Sequence, residues 1–490
     1  MLFRSAEAED TIIVTGFRKA LESAQNVKRG ADTFVDSIMA EDIGALPDRS
    51  VAEALQRVPG INIGRFEKTS DPDRFSVEGT GVLIRGLPYV RSELNGREIF
   101  SATGGRELSF NDISPEQLGR VDVFKNVTAD MIEGSIAGTV DLVTRKPLDS
   151  RGLKVAGTIG ANYGDLREKW SPEFSGLISN RWDTGAGSFG LQFGYAYSEL
   201  KSRTDASQVA DPCYRASTFD KPCLRPVSVG SGGFVGDPNF NATNFPPAGA
   251  LVVPKGAGVR TTDLDRTREA FSAVGQYESP DGRFRATVEW LRSETSFDTE
   301  EFALISRVDD EGLFPVPAAG STWQFDDNGV FKKGILTQRP GDAYATPFGR
   351  GGIPIDSLRF LRGAKAVTED VSVEFKFEAT DRLRFNFEAQ KINSTLSRDS
   401  VFGALSTFAE VALDLSGKTP QVEFLAPPGS PADYFTSGRN TYYWFGLDSR
   451  EKNEGDLTTL SFDAEYDIGD EGFFKSARFG APNSTITATN

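Results

Sequence analysis

From Val371 to Ala379 the chain alternates without a break: Val371, Val373, Phe375, Phe377 and Ala379 take the odd positions, Ser372, Glu374, Lys376 and Glu378 the even ones. After Thr380-Asp381-Arg382 the pattern resumes, with Leu383, Phe385, Phe387 and Ala389 set against Arg384, Asn386, Glu388 and Gln390. Successive side chains of a strand point to opposite faces, so each run reads as a strand with one apolar and one ionic face, and the tight turn joins them as a hairpin. A second pair brackets Ser279-Pro280-Asp281-Gly282, a strong turn signal, and continues as Phe284, Ala286, Val288 and Trp290 alternating with Arg285, Thr287 and Glu289. The same alternation recurs around Phe189 to Tyr197 and Leu460 to Tyr466. Periodicity alone fits a soluble sandwich as well as a membrane barrel.

Spacing separates the two. Tight turns alternate with long polar excursions over 202–262 and 297–365, the asymmetry of outer-membrane barrels with short turns at one rim and long loops at the other. Ordinary compact domains seldom carry such connections. No apolar run approaches the roughly 18 residues of a membrane helix, whereas barrel strands need only about 9 to 11 residues of alternating faces. A mean hydropathy of −0.33 is compatible with that. The alternating segments amount to roughly ten spanning strands, fewer than the 22 of plugged outer-membrane transporters, so the barrel encoded here is expected not to close in the usual way.

Composition removes most enzyme chemistries. The 490 residues include no His, which eliminates imidazole bases, Ser-His-Asp and Cys-His triads and HExxH zinc sites. Asp and Glu number 70 against 54 Lys and Arg, a formal charge of −16, so a nucleic-acid surface is not expected. Phe at 37 and Gly at 50 against three Met suit sheets with aromatic outer faces and tight turns. Gly185-Ala186-Gly187-Ser188-Phe189-Gly190 matches GxGxxG, but an alternating strand follows it where phosphate binding needs a helix N-terminus. A glycosidase pair needs carboxyls about 5 to 9.5 Å apart, a distance no sequence supplies. Cys213 and Cys223 lie in DPCYRASTFDKPCLRP. Their loop setting favours a disulfide in an oxidising compartment over two free thiols, and two sulfurs without His leave a zinc shell incomplete.

The first third has a different texture. Asp48 or Ser50 can cap a short helix with Val51, Ala54, Leu55 and Val58 on one face, ended by Pro59-Gly60. Strands are expected at Ile61–Ile63, Val82–Arg85, Val121–Lys125 and Thr139–Arg145, with a helical turn opening at Ser114-Pro115-Glu116. In order, this region reads LPDRSVAEALQRVPGINI, GVLIRGLP with LNGREIF, and GRVDVFKNVTADMIEGSIAGTVDLVTRKPLD. Those segments, so ordered and spaced, resemble the plug domain of TonB-dependent outer-membrane receptors, over the first third of the chain.

The resemblance implies a membrane β protein of the cell outer membrane, not an enzyme: an α+β plug domain followed by a truncated antiparallel transmembrane β-barrel. It divides the chain into an N-terminal segment at 1–30, a plug at 31–149 and a partial barrel at 150–490. The N-terminus MLFRSAEAED shows no secretory leader, and the C-terminus lacks the family's terminal aromatic strand, so a fragment is expected. The island Thr11, Ile12, Ile13, Val14 and Thr15 stands where the family carries its TonB box, an edge strand added to a periplasmic partner; read without the family it is one short buried strand. Two plug stretches, Gly64 to Arg74 and Phe100 to Glu107, would point to the external vestibule. There Phe66 can stack on a ligand while Arg65, Asp71, Asp73, Arg74 and Arg106 hydrogen-bond to it, or all of them simply pack against barrel loops. Arg85 and Arg120 are expected as latches onto wall carboxylates such as Glu289, Glu374 or Glu388. Implied partners are TonB with its inner-membrane energising complex, outer-membrane lipid and a small-molecule or oligosaccharide ligand. The chain is expected to be monomeric, and no cofactor and no metal are implied. A non-transporting surface carbohydrate-binding or carbohydrate-active β-protein is the alternative, and the plug segments argue against it.

Overall fold

The computed structural model describes residues 23–31, 33–39, 51–64, 66–68, 71–75, 81–99, 101–102, 118–128, 131–210, 212–219, 223–224, 245–307, 315–338, 351–469 and 474–489. Thr11 to Thr15, Arg65, Arg106 and the turn at Ser114-Pro115-Glu116 lie outside the described residues, as do the side chains of Phe66, Asp71, Asp73 and Arg74.

The N-terminal domain is α+β. A helix at 23–30 precedes β1 (Val35–Met39), and α2 (Val51–Leu55) precedes β2 (Ile61–Gly64), β3 (Phe66–Lys68), β4 (Asp71–Phe75), β5 (Gly81–Ile84), β6 (Val90–Leu94), β7 (Arg97–Glu98), β8 (Leu118–Phe124) and β9 (Gly138–Thr144). The main sheet runs β1-β8-β9-β6-β7; β2 pairs β5 and β3 pairs β4. Its pairs are antiparallel except β6 with β9. The expected face of α2 holds: Val51, Ala54, Leu55 and the following Val58 are buried. Gly138 is needed where β9 begins, because its φ is +152° and a Cβ there would stand 2.5 Å from the Phe124 carbonyl oxygen.

The wall is one long antiparallel sheet. Its strands and those of its far rim are β10 (Lys154–Gly164), β11 (Lys169–Thr184), β12 (Gly187–Val209), β13 (Pro212–Arg215), β14 (Leu251–Pro254), β15 (Gly256–Glu278), β16 (Phe284–Arg307), β17 (Val316–Pro317), β18 (Gln324–Phe325), β19 (Phe331–Thr337), β20 (Ile353–Thr380), β21 (Leu383–Asp414), β22 (Gln421–Leu425), β23 (Tyr442–Asp467) and β24 (Ser476–Thr489). Nine of the thirteen strands of this sheet make the wall, in the order β10-β11-β12-β15-β16-β20-β21-β23-β24, and its two end strands do not pair with each other. Each wall strand meets its chain neighbour antiparallel. The turn Gly185-Ala186 leads straight into β12, a strand and not a helix, so the glycine motif there has no phosphate-binding geometry.

The hairpin read from Val371 to Gln390 has the expected register, with Phe375 opposite Phe387 and Glu374 opposite Glu388. Its faces separate as expected: Phe375 is 39% and Phe387 40% exposed, while Ser372 and Gln390 on the opposite face are each 3% exposed. The outward rings touch across strands, Phe189 with Tyr277 at 4.9 Å, Phe284 with Phe375 and Phe375 with Phe387 at 6.2 Å, and Phe385 with Phe462 at 5.9 Å. Together they form a belt along the short-turn rim.

One expectation is corrected. The excursions read at 202–262 and 297–365 begin and end inside strands, because β12 continues to Val209, β15 begins at Gly256, β16 continues to Arg307 and β20 begins at Ile353. Beyond Tyr197 the outward positions of β12 turn ionic, with Lys201 on Glu199 at 2.6 Å and Arg203 on Asp205 at 3.1 Å. Strands that leave the apolar layer lose the hydrophobic alternation by which they are recognised. At this far rim β19 and β22 pair with β21, and Val253, Trp323, Phe331, Leu336, Ile353 and Val411 form a small core. Cys213 and Cys223 are joined there, Cα to Cα 5.6 Å. Buried Arg215 donates to the carbonyl oxygens of Pro315 at 2.7 Å and Phe219 at 3.1 Å.

Candidate functional site

The ionic contact of the N-terminal domain with the wall centres on one carboxylate. Glu289 on β16 points inward because Val288 and Trp290 beside it take the outward positions, and it is 1% exposed. It accepts a hydrogen bond from Asn95 Nδ2 at 3.0 Å, pairs with Lys146 Nζ, and has Arg97 Nη2 at 3.7 Å. Arg97 Nη2 also donates to Ser372 Oγ on β20 at 3.0 Å. Two segments distant in the chain converge here. Asn95 and Gly96, at φ +53° and +75°, form the two-residue turn between β6 and β7, where positive φ at both centres suits Asn-Gly. Asn95 also clasps Thr144, receiving its N–H at 3.0 Å, which ties this turn to the end of β9 just before Lys146.

Flanking contacts use the backbone. Leu148 N–H donates to Gln276 Oε1 at 3.1 Å, Gln192 Nε2 to the Arg145 carbonyl at 3.0 Å, and Arg181 Nη1 to the Leu148 carbonyl at 2.9 Å. Pro147 lies against Gly190, where a Cβ would fall 2.9 Å from the ring. On the other side the Ala102 N–H donates to Ser394 Oγ at 2.9 Å, and Leu291, Ile392 and Leu457 of the wall complete the apolar core of the domain.

The ion pairs from this domain to Glu289 are made by Arg97 and Lys146, not by Arg85 or Arg120. Arg120 donates Nε to Asp122 Oδ2 at 2.8 Å inside its own domain, because β8 lies on the far side of β9 and β6 from the β7 edge that meets the wall. Arg85 is exposed on a left-handed turn at φ +54°, with its N–H on the Gly60 carbonyl. Among the described residues neither side chain meets a wall carboxylate. Of the three carboxylates considered, Glu289 is used; Glu374 pairs with Lys376 at 2.8 Å and Glu388 accepts from Asn386 at 3.0 Å. The signals for the true contacts were the Asn-Gly turn placing Arg97 at an edge and the Lys-Pro step placing Lys146 at the exit of β9. Among the described residues no group of three Cys, Asp or Glu side chains is placed to hold a metal ion.

A family model described as TonB-dependent Receptor Plug Domain matches residues 27–139, the domain that carries Asn95 and Arg97. The chain carries a TonB-dependent receptor plug domain. It is an outer-membrane protein, and receptors with this plug are transporters rather than enzymes. Similar solved structures include the ferric citrate transporter FecA in the unliganded form, at 12% identity over 95% of this chain and 80% of that one, TM-score 0.29. The siderophore receptors PiuA and PirA from Acinetobacter baumannii follow at 12% and 11% identity, covering 93% and 95% of this chain and 61% and 92% of theirs, with TM-scores of 0.29 and 0.27. At such TM-scores none of them bears on the ligand or on wall geometry here. No curated protein matches the chain.

Proposed function

We propose that this receptor captures a scarce extracellular nutrient, an oligosaccharide or an iron chelate, and delivers it to the periplasm as a monomer driven through TonB by the inner-membrane energising complex. The contact at Glu289 carries the reading. A plug must be retained at rest and freed on demand, and an ion-pair cluster inside a wet lumen can exchange its partners for water, whereas a purely apolar seal could not. Such clusters specify position more than they add stability.

The division 1–30, 31–149 and 150–490 assigns the parts. Thr11, Ile12, Ile13, Val14 and Thr15 add as a strand to TonB. A pull on the chain ahead of Val35 reaches β1 first, the edge strand of the plug sheet. Arg65, Phe66, Asp71, Asp73, Arg74 and Arg106 supply the external ligand contacts, by stacking and hydrogen bonds.

The test is uptake by cells expressing the full-length receptor, supplied with oligosaccharides as sole carbon source or with ferric chelates as sole iron source. Growth should require TonB, and Ile13→Pro, which removes a ladder donor, should abolish both growth and TonB pull-down. Growth that survives loss of TonB overturns the reading.

A further inference from the structure

Four carboxylates stand in one row across the plug sheet. Asp122 on β8 is directly opposite Asp141 on β9, Asp141 is opposite Glu93 on β6, and Glu93 is opposite Glu98 on β7. Ser37 of β1 completes the row beside Asp122. Like charges directly opposed in a sheet repel, and these lie out of water: Asp122 is 3%, Glu93 5% and Asp141 9% exposed.

The cations bonded to the row are fewer than its charges. Arg91 gives Nε to Glu93 at 3.0 Å and has Nη2 3.5 Å from Glu98, its Nη1 being taken by the Glu133 carbonyl. Arg120 and Ser37 serve Asp122 at 2.8 and 2.6 Å. Among the described residues Asp141 receives only the Gly96 N–H, at 2.9 Å, with the Arg120 and Arg97 guanidinium groups acting on it through space. Thr139, next on the same face of β9, leaves its hydroxyl unpaired. Glu93 and Asp141 face each other across the one parallel pairing among the described strands of the sheet, and parallel pairing is the weaker kind per residue.

We propose that a proton held by one member of the Glu93–Asp141 pair closes the seam between β6 and β9, and that its loss is the step at which the plug sheet parts. Two buried carboxyls opposed in register repel when both are ionised, so one member keeps a proton. Burial, then the facing Asp141, push Glu93 up to about 7, and burial lifts Asp141 to about 6. The sign follows. A carboxyl raised in the folded state adds stability that is fully present below its unfolded value and is lost as pH rises through the folded one. The seam is therefore tight in mild acid and loosens toward neutrality. The same effect follows when solvent is admitted at fixed pH, because hydration returns both groups to ordinary acidity. A plug opened from the β1 edge would release that proton, so mechanical opening and deprotonation are one event.

Amide hydrogen exchange of the full-length receptor tests this without ligand or TonB, so its outcome is independent of the transport reading. Protection of the amides of Ser92, Leu94, Val140 and Leu142, corrected for intrinsic rates, should fall as much as about tenfold per pH unit between roughly pH 5 and 7 and then level, one proton's worth of linkage. Glu93→Gln should flatten that profile and hold protection at pH 8. Infrared difference spectra should show a protonated carboxyl near neutrality that Glu93→Gln or Asp141→Asn removes, a readout that survives even where one variant assembles poorly. A wild-type profile without slope, a slope that persists in Glu93→Gln, or no protonated carboxyl near neutrality overturns the proposal.

Discussion

Under the proposed function, Glu289 is the residue on which retention of the plug turns. Replacing it by Ala leaves Lys146 and Arg97 the through-space charge of Asp370 on β20 in its place; a buried pair broken in this way costs about 3 to 5 kcal/mol, and Asp370 together with the partial solvent exposure of Lys146 places this site at the low end. Glu289→Ala in the full-length receptor should loosen the plug and admit a large antibiotic to cells, while Arg85→Ala and Arg120→Ala, which meet no wall carboxylate among the described residues, should leave permeability unchanged. Equal leakage from all three would remove Glu289 from that role. Asp36 answers pH in the opposite sense to Glu93. It accepts from Lys28 Nζ at 2.6 Å and from Lys125 Nζ; burial raises its carboxyl, but the two ammonium groups outweigh burial and hold it below the ordinary range. Its contribution is present above the unfolded value of about 3.9 and disappears as pH falls through the folded one. The amide of Ile38 on β1 should therefore lose protection below about pH 4, and Asp36→Asn should remove that acid step.

Among the elements, the β20–β21 hairpin gives the sharpest contrast between faces. Phe375 and Phe387 lie on the outward aromatic belt and Lys376 on the ionic inner face. A cationic residue on the lipid face costs roughly 2 to 4 kcal/mol at the midplane, falling to about 0 to 1 kcal/mol toward the interfaces. Phe375→Arg should accordingly depress assembly, read as the folded fraction on unheated gels, whereas Lys376→Ala should leave it near wild type. Comparable tolerance at both positions would mean that these faces are not lipid and lumen. The hairpin was readable in advance because its apolar residues alternate; the outer halves of β12, β15, β16 and β20 were not, because ion pairs on one face and polar groups on the other carry no hydrophobic period.

At the scale of the whole molecule, the far rim is a folded cap on the wall, with its own apolar core and the Cys213–Cys223 bridge. Peptide mapping of non-reduced protein from the outer membrane should recover that bridge, and two alkylatable thiols in never-reduced material would contradict an external cap. Period-two patterning, tight turns, the missing imidazole and the ordered plug segments determined the class: strands with one apolar face, a domain that blocks them, and no enzyme chemistry. These are legible because each depends on neighbours within a few residues. The latch was only half legible. Glu289 was among the wall carboxylates considered, yet Arg97 and Lys146, 49 positions apart by their numbers, become its partners through sheet order, which puts the β7 edge rather than β8 against the wall. The carboxylate row was invisible for the same reason. Asp122, Asp141, Glu93 and Glu98 are ordinary acids in four separate segments, and only the register of four strands sets them side by side, where their mutual repulsion becomes a property of the fold.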